Sequence, residues 1–419
     1  MPTIVEGDDA LIAERESAVR DLTENVLPFW QRHAFDDSGW LRGKVLNNLT
    51  VDDSPDRHAV IAARILWTFS AAMRDLPADA QGYETTARHA LDLLLTRFWD
   101  EEHGGVYWSL NAAGEVAADR KQVYAQAFAI YGLAQWHEAS GDEEALAAAW
   151  GLFDLIEAHA RDREKGGYLE ALSREWGPLA NTALSDKDLS VPKSMNTNLH
   201  VLEAYTTLLR VTGDDRVREA LAALLRATLD NIVRREPWAH CALFFDADWT
   251  SHVDTISYGH DIEASWLLWD AWEALAASGL ANHQLQADTR AATLALAEAV
   301  RRHGVDPDGS VLYEGSPSGP ENHQKHWWPQ AEGVVGWLNA YQLGGRKEDR
   351  AQAIAAWGFI EGNVIDRAGG EWFAELERDG TVRDAAIDPS ADGACKIGPW
   401  KCPYHNARAA LELLRRIPA

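Results

Sequence analysis

The chain has 419 residues, 46% hydrophobic and 25% charged, an ordinary globular composition with enough apolar mass to bury a large core. Its formal net charge of -26 argues against nucleic acid, an anionic membrane surface or a polyanionic substrate, so a neutral ligand is expected. Three cysteines (Cys241, Cys395, Cys402) imply no disulfide framework. The N-terminal stretch lacks a signal-peptide pattern and no apolar run spans a bilayer, so a soluble, cytoplasmic protein is expected.

Apolar residues at three-to-four spacing predict helices over Ala10–His33, Arg57–Leu76, Ala78–Phe98, Lys121–Ser140, Asp142–Arg163, Ser194–Thr212 and Asp214–Arg234. Further helices are predicted over His260–Ser278, His283–His303, Trp327–Leu343, Glu348–Asp366 and Pro403–Arg416. Gly141 and Gly213 punctuate tight helix–helix turns, so the twelve helices read as six antiparallel pairs. Short β-rich runs recur between the pairs: Ser38-Gly39-Trp40, Gly104 to Trp108, Gly166-Gly167-Tyr168 and Gly369 to Phe373. Leu243-Phe244-Phe245 and Val311-Leu312-Tyr313 are read as the matching runs of the other two units. The unit is helix, short strand or hairpin, helix, repeating at roughly 60–75 residues. No linker divides it, which predicts one catalytic domain over residues 1–419. The even-numbered helices are the more apolar set (ARILWTFSAA, AFAIYGLAQW, LHVLEAYTTLL, EASWLLWDAW, EGVVGWLNAY). They are expected to form an inner ring with the charged odd set outside: an all-α (α/α)6 barrel with short β-hairpins in its loops.

Parallel inner helices would bring all their N-termini to one mouth. The first two turns there carry Arg64; Tyr124; Asn196 and His200; His260 and Glu263; Trp327, Trp328 and Glu332; and Cys402, Tyr404 and His405. In the stretch Ser257 to Trp269, Gly259 reads as a cap, Asp261 and Glu263 suit a helix N-terminus, and His260 and Glu263 share a face. Each residue alone has a structural explanation. His200 fits a core histidine bonded to a carbonyl, His405 fits support for a helix N-terminus, Glu332 fits orienting a histidine or bonding a backbone group, and Tyr124 fits packing. The Trp pair fits core filling, although 19 Trp against 10 Tyr and 10 Phe also suits sugar rings. Arg64 is harder to explain so, because a buried guanidinium needs an anion or several acceptors. Convergence on one cleft is what points to chemistry.

The motifs ARILWTFSA, YAQAFAIYGLA, KSMNTNLHVLEAYT, SYGHDIEASWLL, HWWPQAEGVVGW and WKCPYHNAR follow one another in this order. On them the chain resembles the N-acylglucosamine 2-epimerase family nearly end to end. The resemblance implies an (α/α)6 barrel, no cofactor and no metal, and reversible epimerisation at C2 of a reducing-end aldose. It implies that His260 and His405 are acid/base catalysts and that His200 is a third essential histidine. Arg64, Tyr124, Asn196, Glu263, Glu332, Trp328 and Trp400 match substrate-contacting or supporting positions, and Trp327 completes a platform with Trp328. Ser185 and Asp188, in the loop LSDKDLSVPKS, match positions near the second sugar of a disaccharide. Asn198 stands where several relatives carry a second histidine, and Pro329 where relatives often have Val.

The chemistry fits these residue types. Only the open-chain aldehyde has an acidic C2–H, so the ring must open before one group removes that proton and another returns it from the opposite face. Histidine does both near neutral pH, and the helix N-termini are expected to hold His260 and His405 near that balance. Arg64 suits charge developing on O1 or O2, and His200 suits ring opening at O1/O5. Proton return to C1 instead would give a ketose, so a mannose/glucose epimerase or aldose–ketose isomerase acting on free sugars is the neighbouring reading. The loop and the Trp-rich mouth favour a β-1,4-linked disaccharide such as cellobiose or lactose. Three other classes fit parts of the pattern. Zinc would use Cys402 and His405 with Cys395, or His260 with Glu263. A glycoside hydrolase needs a carboxylate pair at the mouth. A non-catalytic sugar-binding protein would use the tryptophans without needing three histidines. The only partner expected is a small sugar, and a closed barrel fits a monomer.

Overall fold

The computed structural model describes residues 8–185, 188–388 and 393–418. In chain order its helices are α1 (Asp9–Asp21), α2 (Leu27–His33), α3 (Ala59–Asp75), α4 (Ala80–Thr96), α5 (Val123–Ser140), α6 (Glu143–Leu155) and α7 (Met195–Thr212). They continue with α8 (Asp215–Ala227), α9 (Tyr258–Ala277), α10 (His283–His303), α11 (Trp327–Gly344), α12 (Lys347–Phe359) and α13 (Tyr404–Arg416). α3, α5, α7, α9, α11 and α13 form the inner ring: each packs on the next and α13 returns to α3. α4, α6, α8, α10 and α12 lie outside, and α1 covers α13. The (α/α)6 barrel is therefore present, with the predicted even-numbered set inside.

The inner helices are packed on nearly every side, as their apolar sequences require. In α5 every residue from Val123 to Trp136 is buried. They also approach closely: a Cβ on Gly132 would lie 2.7 Å from the Ala63 carbonyl oxygen of α3.

Among the inner helices, α11 starts at Trp327 as predicted, and the other five start one or two residues away from their predictions. Two-residue strands precede five of the six: Arg57–His58, Lys121–Gln122, Lys193–Ser194, Ile256–Ser257 and Lys325–His326 lead into α3, α5, α7, α9 and α11. Each strand pairs antiparallel with one from the following unit, for example His58 with Ser109 and Ser194 with Phe244. Cys395–Ile397 pairs with Lys44–Leu46, which closes the loop layer from the last unit back to the first. Because these residues belong to a ladder, Arg57, Lys121 and Ser194 do not open helices as predicted. The first outer helix is also interrupted, by a π-helical turn at Leu22–Val26 between α1 and α2. Three others end in such turns, at Ile156–Ala160, Thr228–Ile232 and Ile360–Val364.

The lysines in these strands are core residues. Lys121 Nζ donates to Asp100 at 2.8 Å with both side chains fully buried. Lys193 donates to Asp162 at 2.7 Å and Lys396 to Asp366 at 2.8 Å. The aspartates sit just beyond the outer helices, so each pair ties the end of an outer helix to the loop layer.

A second device fastens the inner helices. The amide of Gln126, fourth residue of α5, accepts from Val106 N–H and donates to Val106 C=O, both at 2.8 Å. Asn198, fourth in α7, clamps Tyr168 at 2.8 and 3.2 Å, and Gln330, fourth in α11, clamps Val311 at 2.7 and 2.8 Å. At α9 the fourth residue is Asp261, which accepts from Cys241 N–H at 2.7 Å. Cys241, not the run Leu243 to Phe245, is therefore the fourth unit's counterpart of Val106 and Tyr168. Among the described residues, no helix is long and apolar enough to cross a membrane.

Candidate active site

Common helix registers bring the polar residues to one end of the ring. Tyr124, Asn196, Trp328 and His405 are the second residues of α5, α7, α11 and α13. Arg64, His200, Glu263 and Glu332 are the sixth residues of α3, α7, α9 and α11, one turn further in. His260 is third in α9.

Trp328 joins the two candidate acid/base histidines. Its ring centroid lies 4.7 Å from that of His260 and 5.7 Å from that of His405. Gly259 makes this possible. It lies inside the first turn of α9 rather than capping it, and a Cβ there would come 2.5 Å from the Trp328 ring. His260 Nδ1 is hydrogen-bonded to Ser257 Oγ at 2.8 Å. His405 Nδ1 pairs with Glu332 Oε1 at 2.7 Å, and His200 Nδ1 with Glu203 Oε2 at 2.9 Å. A carboxylate at Nδ1 fixes the tautomer with N–H there and leaves the Nε2 lone pair as the base.

Arg408 sits behind the histidines and gathers the carboxylates. Nη2 donates to Glu263 and to Glu332, each at 2.6 Å, while Nη1 pairs with Glu203 and the Tyr404 hydroxyl. Tyr404 also donates to Glu203, and Trp266 Nε1 donates to Glu332 at 3.0 Å. Arg408, Glu203 and Ser257 escaped the sequence reading. The first two lie three residues after His405 and His200, one turn along the same faces, and that spacing was their visible signal.

Burial governs the titrations. It lowers the His260 imidazole to about 3, helped by nearby His200. Burial with Arg64 and Arg408 holds His405 well below its ordinary value, and burial outweighs Glu203 in lowering His200. The expected balance of His260 and His405 around neutrality is thus not the resting state: the imidazoles rest neutral. Burial and Glu332 push the Glu263 carboxyl up to about 8, and burial raises Glu332. Burial alone would raise Glu203 too, but Arg408 and His200 bring it down to about 2. Of the three carboxyls, Glu203 is thus the one that Arg408 and His200 hold ionised, while burial favours the proton on Glu263.

Arg64 is buried without a carboxylate partner among the described residues. Nη2 donates to the Tyr124 hydroxyl at 2.6 Å, Nη1 meets Cys402 Sγ at 3.7 Å, and the guanidinium lies 4.2 Å from the Phe128 ring centroid. Its Nε and the Asn196 Oδ1 are buried with no partner among the described residues. Trp400, 37% exposed, stands at the rim with its ring 6.3 Å from Tyr124 and 6.2 Å from Trp108. Trp327 is buried behind the rim, with the Lys401 ammonium over its ring and its edge toward His405. Ser185 Oγ donates to Asp188 at 2.6 Å; Asp186 and Lys187 between them lie outside the described residues. Asn198 belongs to the clamp on Tyr168 and not to the cleft lining.

Ligand atoms of Glu263, Glu332 and His405 lie within 4.8 Å of one another, but the Arg408 guanidinium is the cation these carboxylates hold. Cys402 faces Arg64, and the Cys395 thiol meets the Gly393 carbonyl at 3.5 Å. Glu203, Glu263 and Glu332 are thus tied to Arg408 rather than free to act as the carboxylate pair that a hydrolase reading needs.

Residues 43–393 match the family model described as N-acylglucosamine 2-epimerase (GlcNAc 2-epimerase). The chain belongs to the N-acylglucosamine 2-epimerase family. Within it, the chain is 41% identical to the cellobiose 2-epimerase of Bacteroides fragilis over 403 residues, 96% of this chain and 98% of that protein. The solved cellobiose 2-epimerase of Bacillus thermoamylovorans superposes with TM-score 0.87 at 33% identity, covering 97% of this chain and all of the other. That of Spirochaeta thermophila gives 0.85 at 37%, covering 98% of each. The epimerase family's barrel and this chain's barrel thus coincide over nearly their whole length.

Proposed function

We propose that this protein is an isomerase of the cellobiose 2-epimerase type, interconverting the glucose and mannose configurations at C2 of the reducing-end sugar of a β-1,4-linked disaccharide. The observation that carries the reading is the pair of imidazoles, His260 and His405, packed on the same Trp328 ring at one cleft. His200, backed by Glu203, opens the ring through its Nε2 at O1 or O5. One of the two imidazoles then removes the C2 proton, leaving a cis-enediolate. Arg64 supplies a cation not already neutralised by a carboxylate, so its attraction for the charge growing on O1 and O2 is largely uncompensated. The second imidazole takes up a proton from solvent as that negative charge develops beside it and delivers it to the opposite face of C2, and the first imidazolium then returns its proton to solvent. Glu332 steadies His405 as an imidazolium when its turn comes to hold the proton. Ser185, Asp188 and Trp400 are the residues assigned to the second sugar of the disaccharide.

The test is incubation with cellobiose, lactose, glucose, mannose and N-acetylglucosamine, in light and in deuterated water, with products separated by chromatography. Epimers of the disaccharides carrying deuterium at C2 are expected. Inversion without solvent deuterium at C2 would overturn the two-imidazole route, and ketose products alone would overturn the epimerase assignment.

A further inference from the structure

The four clamps described above are chemically unequal. At α5, α7 and α11 an amide side chain both accepts from a backbone N–H and donates to the same residue's C=O. At α9 the same position is a carboxyl, Asp261, set against Cys241 in the neighbouring hairpin. A carboxylate can only accept, so an ionised Asp261 would do half of what its three siblings do. It would also be a buried charge, since Asp261 is 1% exposed and makes no salt bridge among the described residues. The titratable groups that face it are the Cys241 thiol, from the hairpin, and the Tyr258 phenol, from its own helix. Neither supplies a positive charge.

We propose that Asp261 is a positioning residue that works as a neutral carboxylic acid, standing in for the sibling amides and holding the first turn of α9, with its His260, against the hairpin at Cys241. The position next to His260 makes this clamp different in consequence from the other three. Slippage of this turn displaces an imidazole that must meet C2 from one face. The direction of the carboxyl's titration agrees: burial raises it to about 8. The catalytic part of the proposal rests on the two-imidazole reading; the protonation of Asp261 does not.

The experiment is Asp261→Asn, which installs the same amide that α7 carries at this register. It is expected to fold, to keep near wild-type turnover at pH 7, and to retain activity at alkaline pH where the wild type loses it. Stability gives a second readout. An aspartyl that is free in the unfolded chain loses its proton near pH 3.9, whereas in the fold it keeps it until about pH 8. Wild-type stability therefore falls as pH rises through that window and levels off above it, and the Asn variant lacks this contribution. The Tm of Asp261→Asn minus that of wild type should grow from pH 4 to pH 8 and then stay flat. Infrared difference spectra should show a protonated-carboxyl band at neutral pH that the variant lacks. A Tm difference independent of pH, or no such band, overturns the neutral acid. A folded Asn variant that is more than about tenfold slower at pH 7 overturns the equivalence with the amides. Should His260→Ala remain active, the two-imidazole reading fails while the Tm and infrared arms still judge Asp261 on their own.

Discussion

Each histidine in the cleft has a different neighbour at Nδ1, and this sets what each can do. His405 and His200 are backed by carboxylates, His260 by the Ser257 hydroxyl. Replacing His260 or His405 by Ala is expected to cut kcat by roughly 10²–10⁴-fold while leaving the helical circular dichroism unchanged. Glu332→Gln preserves volume but removes the charge that stabilises a His405 imidazolium. A fall in kcat of roughly tenfold or more with little change in KM is expected, since the loss is felt mainly as charge develops. Equal effects on kcat and KM would place Glu332 in ground-state binding instead. At this scale the sequence was informative where a residue type was unusual for its place. A histidine or arginine inside an apolar helix stands out, whereas Glu203 and Arg408 resemble the surface charges of any amphipathic helix until the partner helices are known.

The inner helices owe their placement to devices that hydrophobic periodicity does not record. Gln126, Asn198 and Gln330 are polar residues in first turns that clamp the preceding hairpins. Gln126→Ala should orphan both polar groups of Val106, at about 1–3 kcal/mol for each buried group left unmet. A smaller Tm shift than that of a core Leu→Ala control would mean that water replaces the amide. Gly132→Ala tests the α5–α3 contact: the added methyl meets the Ala63 carbonyl, and a cost of about 1–3 kcal/mol is expected from overpacking. Helix centres were legible because apolar spacing persists over many residues. Most of their starts were not, because a two-residue strand has too few residues to show alternation; α11, read correctly from Trp327, is the exception.

At the scale of the whole molecule, a buried carboxylate reinforces the closure of the ring. Glu371, between α12 and the last hairpin, takes the Lys401 ammonium, the Asn406 amide at 2.5 Å and the Trp30 indole N–H at 3.4 Å. It thereby joins α2, the end of the chain and the hairpin that precedes α13. Glu371→Ala leaves Lys401 buried without its anion and should cost about 3–5 kcal/mol, read as a fall in Tm. The buried Lys–Asp ties predict the acid limb. Burial alone would raise the Asp100 carboxyl, but Arg174 and Lys121 hold it well below the ordinary value. A carboxyl depressed in the fold stabilises above its unfolded pKa near 3.9 and loses that contribution as pH falls toward its folded value. Asp100→Asn should therefore be less stable than wild type at pH 7, with the gap narrowing below about pH 4. A gap constant with pH would mean that lost packing, not charge, is responsible.

Repeating apolar segments, with Gly141 and Gly213 at the turns, were enough to specify helix pairs and a ring, because each pair buries its face only against another pair. The concentration of Arg64, His200, His260, Glu332 and His405 in the first two turns was enough to locate a cleft. Which atoms meet is a separate matter. The carboxylate at the His405 Nδ1, the cation shared by three glutamates and the neutral resting state of the imidazoles all depend on contacts between residues far apart in the chain, such as Glu203 and Arg408. Burial and pairing move a titration by amounts that residue identity does not encode, so only the packed barrel decides where the protons sit.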